Sequence, residues 1–185
     1  MSIRARVEDA IALFAAGRHE GALLSVLIAI AATSRRRRPE STLSIRKPGK
    51  SMGDGEAFEA FLADEMMNIC RVENFNVMFR GKLHRLEHVL YKWHRCELTH
   101  KGGLPKDVVF EPQQSPGGMS VAVDPGKSLR LSHGWLDGLV NAVVNASENR
   151  DQFGDPPKPP FPLYLTGFDV TLSNVPIATG GEPQP

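Results

Sequence analysis

Arg95 and His100 are the residues whose types and spacing best suit chemistry in this chain. They lie near the end of the stretch KLHRLEHVLYKWHRCELTHKGG, Lys82 to Gly103. An imidazole can accept and release a proton near neutral pH. A guanidinium can hold a phosphate and the charge that develops on it. Together they suit phosphodiester cleavage, although an arginine and a histidine near a helix end serve more often as a cap and a surface charge. On a regular helix each residue turns about 100°, so the pair would stand about 140° apart and share no face. His100, however, sits two residues before Gly102-Gly103, a break that lets the last turn loosen and swing the imidazole. Glu97 and Thr99 lie between the two and can orient His100 or satisfy the helix end. Cys96 directly follows the arginine.

A second concentration of charge lies in SRRRRPESTLSIRKPGKS, Ser34 to Ser51. Arg35, Arg36, Arg37, Arg38, Arg46, Lys47 and Lys50 face Glu40 alone, and two prolines with Gly49 argue against regular structure. Cations this close repel one another and stay solvated unless a polyanion neutralises them. The stretch therefore reads either as a mobile surface loop or as a nucleic-acid contact through Arg35 to Arg38. The wider charge pattern has the same two meanings. Residues 1–50 carry 10 Lys/Arg against 4 Asp/Glu, net +6, while the rest carries 12 against 17, net −5.

His84 and His88 have the i, i+4 spacing that can bind a metal from one helix face. No carboxylate or cysteine follows at a recognisable ligand spacing, and Glu87 lies between them, so a solvated or interface face is expected. His133 reads as helix-start polarity beside Trp135. Cys70 and Cys96 form no metal pair and read as free thiols in a reducing compartment. There is no Gly-rich phosphate loop and no Ser/His/Asp nucleophile context. Neither a metal nor a cofactor is expected.

The elements that must position these residues are mostly helical. Ser2 can cap a first helix over 3–17, carrying Ile3, Val7, Ile11 and Phe14 at spacings near three and four. A second, over 20–33, is apolar on nearly every side and suits the centre of a bundle; it should pair antiparallel with the first. Asp54 is a plausible N-cap for a third helix over 56–70, with Phe58, Phe61, Leu62, Met66 and Ile69 inward and Glu56, Glu59, Asp64 and Glu65 outward. Residues 71–81 read as a connector. A fourth helix over 82–100 has the stripe Leu83, Leu86, Leu90 and Trp93. Val108 to Phe110 suggests a short strand, and alternation on either side of Asp124-Pro125-Gly126 suggests a β-hairpin. A fifth helix over 133–150 starts at Ser132 and carries Trp135, Leu136, Leu139, Val140, Val143 and Val144. From Asp155 the chain holds eight of its fourteen prolines, and Leu163 to Leu172 could add a strand.

With 41% hydrophobic and 23% charged residues over 185 positions, one soluble domain with a tail is expected. The longest apolar run, Ala22 to Ala32, is about half of what spans a bilayer, and no charged n-region or cleavage site precedes it. A cytoplasmic protein without a membrane partner is expected.

The run LYKWHRCELTH, Leu90 to His100, resembles the signature of the HEPN superfamily, in which an arginine followed four to six residues later by a histidine ends a long helix of an α-helical bundle. The family often has Asn, Asp or His after the arginine, where this chain has Cys96. The resemblance covers residues 1–150 and implies a mainly α HEPN-like antiparallel bundle, here over 1–154, with a β-hairpin near 108–131 before the last helix and a Pro-rich segment over 155–185. It further implies a homodimer with two Arg/His pairs in a shared cleft. The activity implied is metal-independent ribonuclease chemistry with the ribose 2′-OH as nucleophile, His100 as general acid/base and Arg95 on the scissile phosphate. Toxin–antitoxin or antiviral defence roles, with a cognate antitoxin or defence protein as partner, follow from the same likeness. Many HEPN-like domains are non-catalytic, so a dimerisation, adaptor or RNA-binding role is the alternative it carries.

Overall fold

A computed structural model describes residues 2–112, 121–123 and 128–157. Two helices open the chain, α1 (Ile3–Ala15) and α2 (His19–Arg37). Ser2 caps the first as its sequence suggests, its hydroxyl accepting a hydrogen bond from the Ala5 amide at 3.0 Å. The pair forms an antiparallel hairpin, and most of α2 from Ala22 to Ser34 is buried. It touches α1, α3, α6 and the segment that bears Arg95, so the helix that is apolar all round is the hub of the molecule.

α2 continues to Arg37, four residues beyond its apolar pattern. The expected loop therefore starts only at Arg38, and three of the four consecutive arginines are helical. Arginine is a good helix former and is favoured in a last turn, where it meets the negative end of the helix dipole. α3 (Asp54–Cys70) starts at Gly53 as the flanking residue, with Asp54 inside its first turn, and ends at Arg71 in the left-handed conformation. One member of its supposedly outward acidic face is misplaced by the pattern: Glu59 is only 5% exposed.

The expected connector holds a β-hairpin. β1 (Asn76–Phe79) pairs antiparallel with β2 (Lys82–Arg85), and Arg80 (φ 51°) and Gly81 (φ 72°) form the two-residue turn. Two successive positive φ values match the right-handed twist of a tight hairpin. The fourth helix therefore begins at Leu86, not Lys82, and Leu83 lies on a strand, 58% exposed instead of in a buried stripe. The rest of that stripe holds, with Leu86, Val89, Leu90 and Trp93 buried.

From Leu86 the chain runs through α4 (Leu86–Val89), a π-helical segment (Leu90–Cys96) and α5 (Glu97–Lys101) without interruption. Gly102, at φ 73°, ends it in the left-handed conformation that glycine adopts without steric cost. Beyond lie β3 (Val108–Glu111), β4 (Val121–Val123) and β5 (Leu129–Ser132), in the order β3-β5-β4. β4 and β5 pair antiparallel as the alternation suggests, and β3 adds to β5 in parallel. The turn over 124–126, the Gly117-Gly118 pair and the possible strand at 163–172 lie outside the described residues.

α6 (Gly134–Asn145), a 3₁₀ turn (Ser147–Asn149) and α7 (Arg150–Phe153) close the described chain. The fully buried Asn149 ties this end to the hub: its amide donates to Thr33 Oγ1 at 2.9 Å and to the Val143 carbonyl at 2.8 Å. Among the described residues the architecture is mainly helical with two small sheets. Among the described residues no helix is long and apolar enough to cross a membrane.

Candidate functional site

The π-helical segment decides where Arg95 points. A π turn takes more residues than an α turn and re-phases the side chains on either side of it. Here it buries the neighbours Trp93 and His94 together. Arg95 is left half-buried, its guanidinium 5.6 Å from the Tyr91 ring centroid and 5.9 Å from that of Phe58 on α3. Cation–π contacts fix a guanidinium without neutralising it.

Tyr91 in turn lies directly on α3. A Cβ at Gly55 would come within 2.8 Å of the Tyr91 ring, so only glycine permits this approach. Burial raises the Tyr91 hydroxyl above its ordinary range, and the neighbouring Cys96 adds to the effect. Cys96 is thus half-buried beside a phenol.

His100 is exposed on α5, as is Thr99. Among the described residues no hydrogen bond, ion pair or ring contact joins Arg95 to His100. Glu97 is engaged by Lys101 at 2.7 Å, on its own helix, and not by His100. His94, which sequence reasoning passed over, is completely buried. Burial lowers its pKa to about 4, and its Nδ1 lies 3.4 Å from the Val89 carbonyl. It is a neutral core imidazole.

The four consecutive arginines meet carboxylates from two sides. Arg35 reaches Asp54 at 2.6 Å, Arg36 grips both oxygens of Asp151 at 2.6 and 3.0 Å, and Arg38 reaches Asp64 at 2.6 Å. Arg37 lies over the Phe61 ring at 4.6 Å and pairs with Glu65 and Glu148, each at 2.8 Å. Its guanidinium holds Glu148 below the usual carboxylate range. The run staples the end of α2 to α3 and to the 147–153 segment. It is neither an unpartnered patch nor a freely solvated loop.

Most other arginines are also paired, Arg46 to Glu59, Arg80 to Asp107 and Arg85 to Glu87 among them. Among the described residues only Arg18, Arg71 and Arg95 have guanidinium groups without a hydrogen bond or ion pair, and the first two are exposed. The Arg95 Nε is buried without a partner.

A cavity of about 560 Å³ opens beside α3 between the loop after α2 and the first hairpin. Its wall includes Arg46, Glu59, Leu83, His84, Glu87 and His88. Glu59 is shared by Arg46 and His88, whose Nδ1 lies 2.9 Å from Oε1. Glu87 is 3% exposed; burial raises its pKa and the Glu59 charge raises it further, against the opposing pull of Arg85. Its Oε2 has no partner among the described residues. The histidines are therefore half-buried and stacked, centroids 5.8 Å apart, instead of lying on an open helix face. The helical reading of Lys82–His100 hid this cavity, because the strand β2 carries Leu83 and His84. The one available signal was Gly81 between two alternating runs. No group of three or more metal-ligating side chains occurs among the described residues.

Comparison with known proteins gives one relationship. A family model described as Rv1289 matches residues 2–156, so the chain belongs to the Rv1289 family. No curated protein and no solved structure matches the chain.

Proposed function

For this member of the Rv1289 family we propose a metal-independent endoribonuclease activity of HEPN type, centred on Arg95 and His100. The observation that carries the reading is the state of Arg95, a guanidinium held against Tyr91 and Phe58 yet free of any carboxylate among the described residues. An arginine held in place and left uncompensated is suited to an external anion, and a phosphodiester is the anion that a nearby histidine can help to cleave. His100 is exposed on α5, and in this reading it exchanges protons with a bound substrate.

In this scheme the ribose 2′-OH attacks the adjacent phosphorus as an imidazole removes its proton. The 5′-oxygen leaves with a proton, and a 2′,3′-cyclic phosphate remains. Arg95 neutralises charge building on the non-bridging oxygens. Because Arg95 and His100 of one chain do not touch, the pair is completed in a homodimer, each copy supplying groups to a shared cleft. A cognate antitoxin or defence protein that blocks this cleft belongs to the same proposal, as does a cytoplasmic location. Arg35 to Arg38 do not carry the RNA contact in this scheme, since a phosphate would have to displace a carboxylate from each.

The separation of Arg95 from His100 also supports a second reading, a non-catalytic HEPN-like dimerisation or RNA-binding domain. One assay distinguishes the two. The chain incubated with RNA and a chelator should yield products ending in 2′,3′-cyclic phosphate, and Arg95→Ala or His100→Ala should each lower the rate about 100-fold or more with the fold intact. RNA binding without product, weakened by Arg95→Ala, would favour the binding module.

A further inference from the structure

The cavity beside α3 is outside the Arg95 site and has the features of a binding pocket in its own right. Its acceptors are specific. Arg46 and His88 occupy Glu59, and Arg85 takes one oxygen of Glu87, which leaves Glu87 Oε2 buried and unpartnered. A buried carboxylate oxygen without a donor is costly, and a ligand N–H would relieve it. With His88 Nδ1–H donating to Glu59, its Nε2 is a second acceptor.

The rest of the wall combines charged groups, Arg38, Glu56 and Asp64, with an apolar part formed by Ile45, Ala60, Ala63 and Leu83. His84 stacks parallel to His88, with 14° between the ring planes, and is braced edge-on by Trp93 at 4.7 Å. Burial, and then the neighbouring His88, lower the His84 pKa, which favours the neutral ring. Leu83 and Ile45 line the same space and are both largely exposed. Stacked imidazoles, an apolar rim and inner hydrogen-bond acceptors together select a planar heterocycle that donates from its edge.

We propose that this cavity binds an amino-bearing nucleobase, with Glu87 and His88 accepting from its N–H groups and His84 stacking on its face. Cytosine and adenine present an exocyclic amine there, whereas uracil presents a carbonyl that Glu87 repels in its ionised form, the form its Arg85 partner favours. The base can belong to a free nucleotide or to an RNA chain. Arg95 lies seven residues beyond His88 on the same continuous helix, on the order of 10 Å of axial rise, so a chain could reach both. The pocket does not depend on cleavage.

The full chain titrated with adenosine, cytidine and uridine, and with short oligoadenylate and oligouridylate, tests this. Trp93 touches both His84 and His88, so its fluorescence reports occupancy. Saturable binding of adenosine and cytidine, about tenfold tighter than uridine, is expected, the discrimination a hydrogen bond to a charged group supplies. Glu87→Gln should erase that preference, and His84→Ala should weaken both amino bases roughly fivefold or more. Equal responses to nucleosides and oligonucleotides identify a free-nucleotide site. Binding of oligoadenylate alone, with the same sensitivity to both variants, identifies a base of RNA. No saturable response to any probe, uridine binding as well as adenosine, or a preference that survives Glu87→Gln overturns the proposal. If Glu87→Gln loses its circular dichroism spectrum, the half-exposed His84→Ala decides, and unchanged affinities with that variant overturn it.

Discussion

Arg37 and Arg95 are both half-buried arginines held over aromatic rings, and they have opposite electrostatic fates. Arg37 lies over Phe61 and pairs with Glu65 and Glu148, while Arg95 lies over Tyr91 and Phe58 with no carboxylate partner among the described residues. The conspicuous cluster of positive charge, Arg35 to Arg38, is used internally to join three parts of the molecule. The inconspicuous single arginine is the one left available. Density of charge in a sequence is therefore a poorer guide to an anion site than the presence of compensating carboxylates in space.

The contrast predicts effects of decreasing size. Arg37→Ala should cost about 3 kcal/mol in chemical denaturation, because it strands two half-buried carboxylates. It should not alter the RNA cleavage rate measured where the variant is still folded. A loss of cleavage by the folded variant would put Arg37 on the Arg95 side of the comparison.

Acid should weaken the protein through His94. Its folded pKa of about 4 lies below the ordinary value of about 6.5. The unfolded chain therefore takes up the proton first as pH falls. Stability is fully present above about pH 6.5 and is lost progressively down to about pH 4, by about 3 kcal/mol in all. His94→Leu should flatten that part of the profile, and an unchanged slope would contradict the assignment.

A smaller effect is expected at Gly55. Gly55→Ala sets a methyl group against the Tyr91 ring and should destabilise the fold by about 1–2 kcal/mol. It should also lower RNA affinity, since Tyr91 is the platform for Arg95. Wild-type affinity with measured destabilisation would show that the platform is dispensable. The smallest change is expected at Arg36, whose pair with Asp151 is largely exposed. Arg36→Ala should cost about 0.5–1 kcal/mol and leave the salt dependence of RNA binding unaltered. A shallower salt slope would return this run to the nucleic-acid interface.

Much of the framework was legible because it follows from periodicity. The Ser2 cap, the α2 hub, the α3 apolar face, the Gly102 stop and the β4–β5 pairing all follow from local patterns that tertiary structure reinforces. The first hairpin was hidden because Leu83, Leu86, Leu90 and Trp93 mimic a helical stripe, and Leu83 fits it by coincidence. The cavity was lost with it. Glu59 looked like one of four outward acids, and only a partner from the loop after α2 and a histidine from α4 make its burial affordable. The π turn had no local signature, yet it sets the direction of Arg95. Residue type and a family resemblance therefore nominated the pair Arg95 and His100, and spacing placed neither side chain.

The most direct test of the central claim is RNA cleavage by the purified chain in excess chelator, compared with Arg95→Ala and with an equimolar mixture of Arg95→Ala and His100→Ala. A shared cleft predicts product from the parent, about 100-fold less or lower still from either variant alone, and partial recovery in the mixture as heterodimers restore one complete pair. Parent-like cleavage by Arg95→Ala would contradict the account.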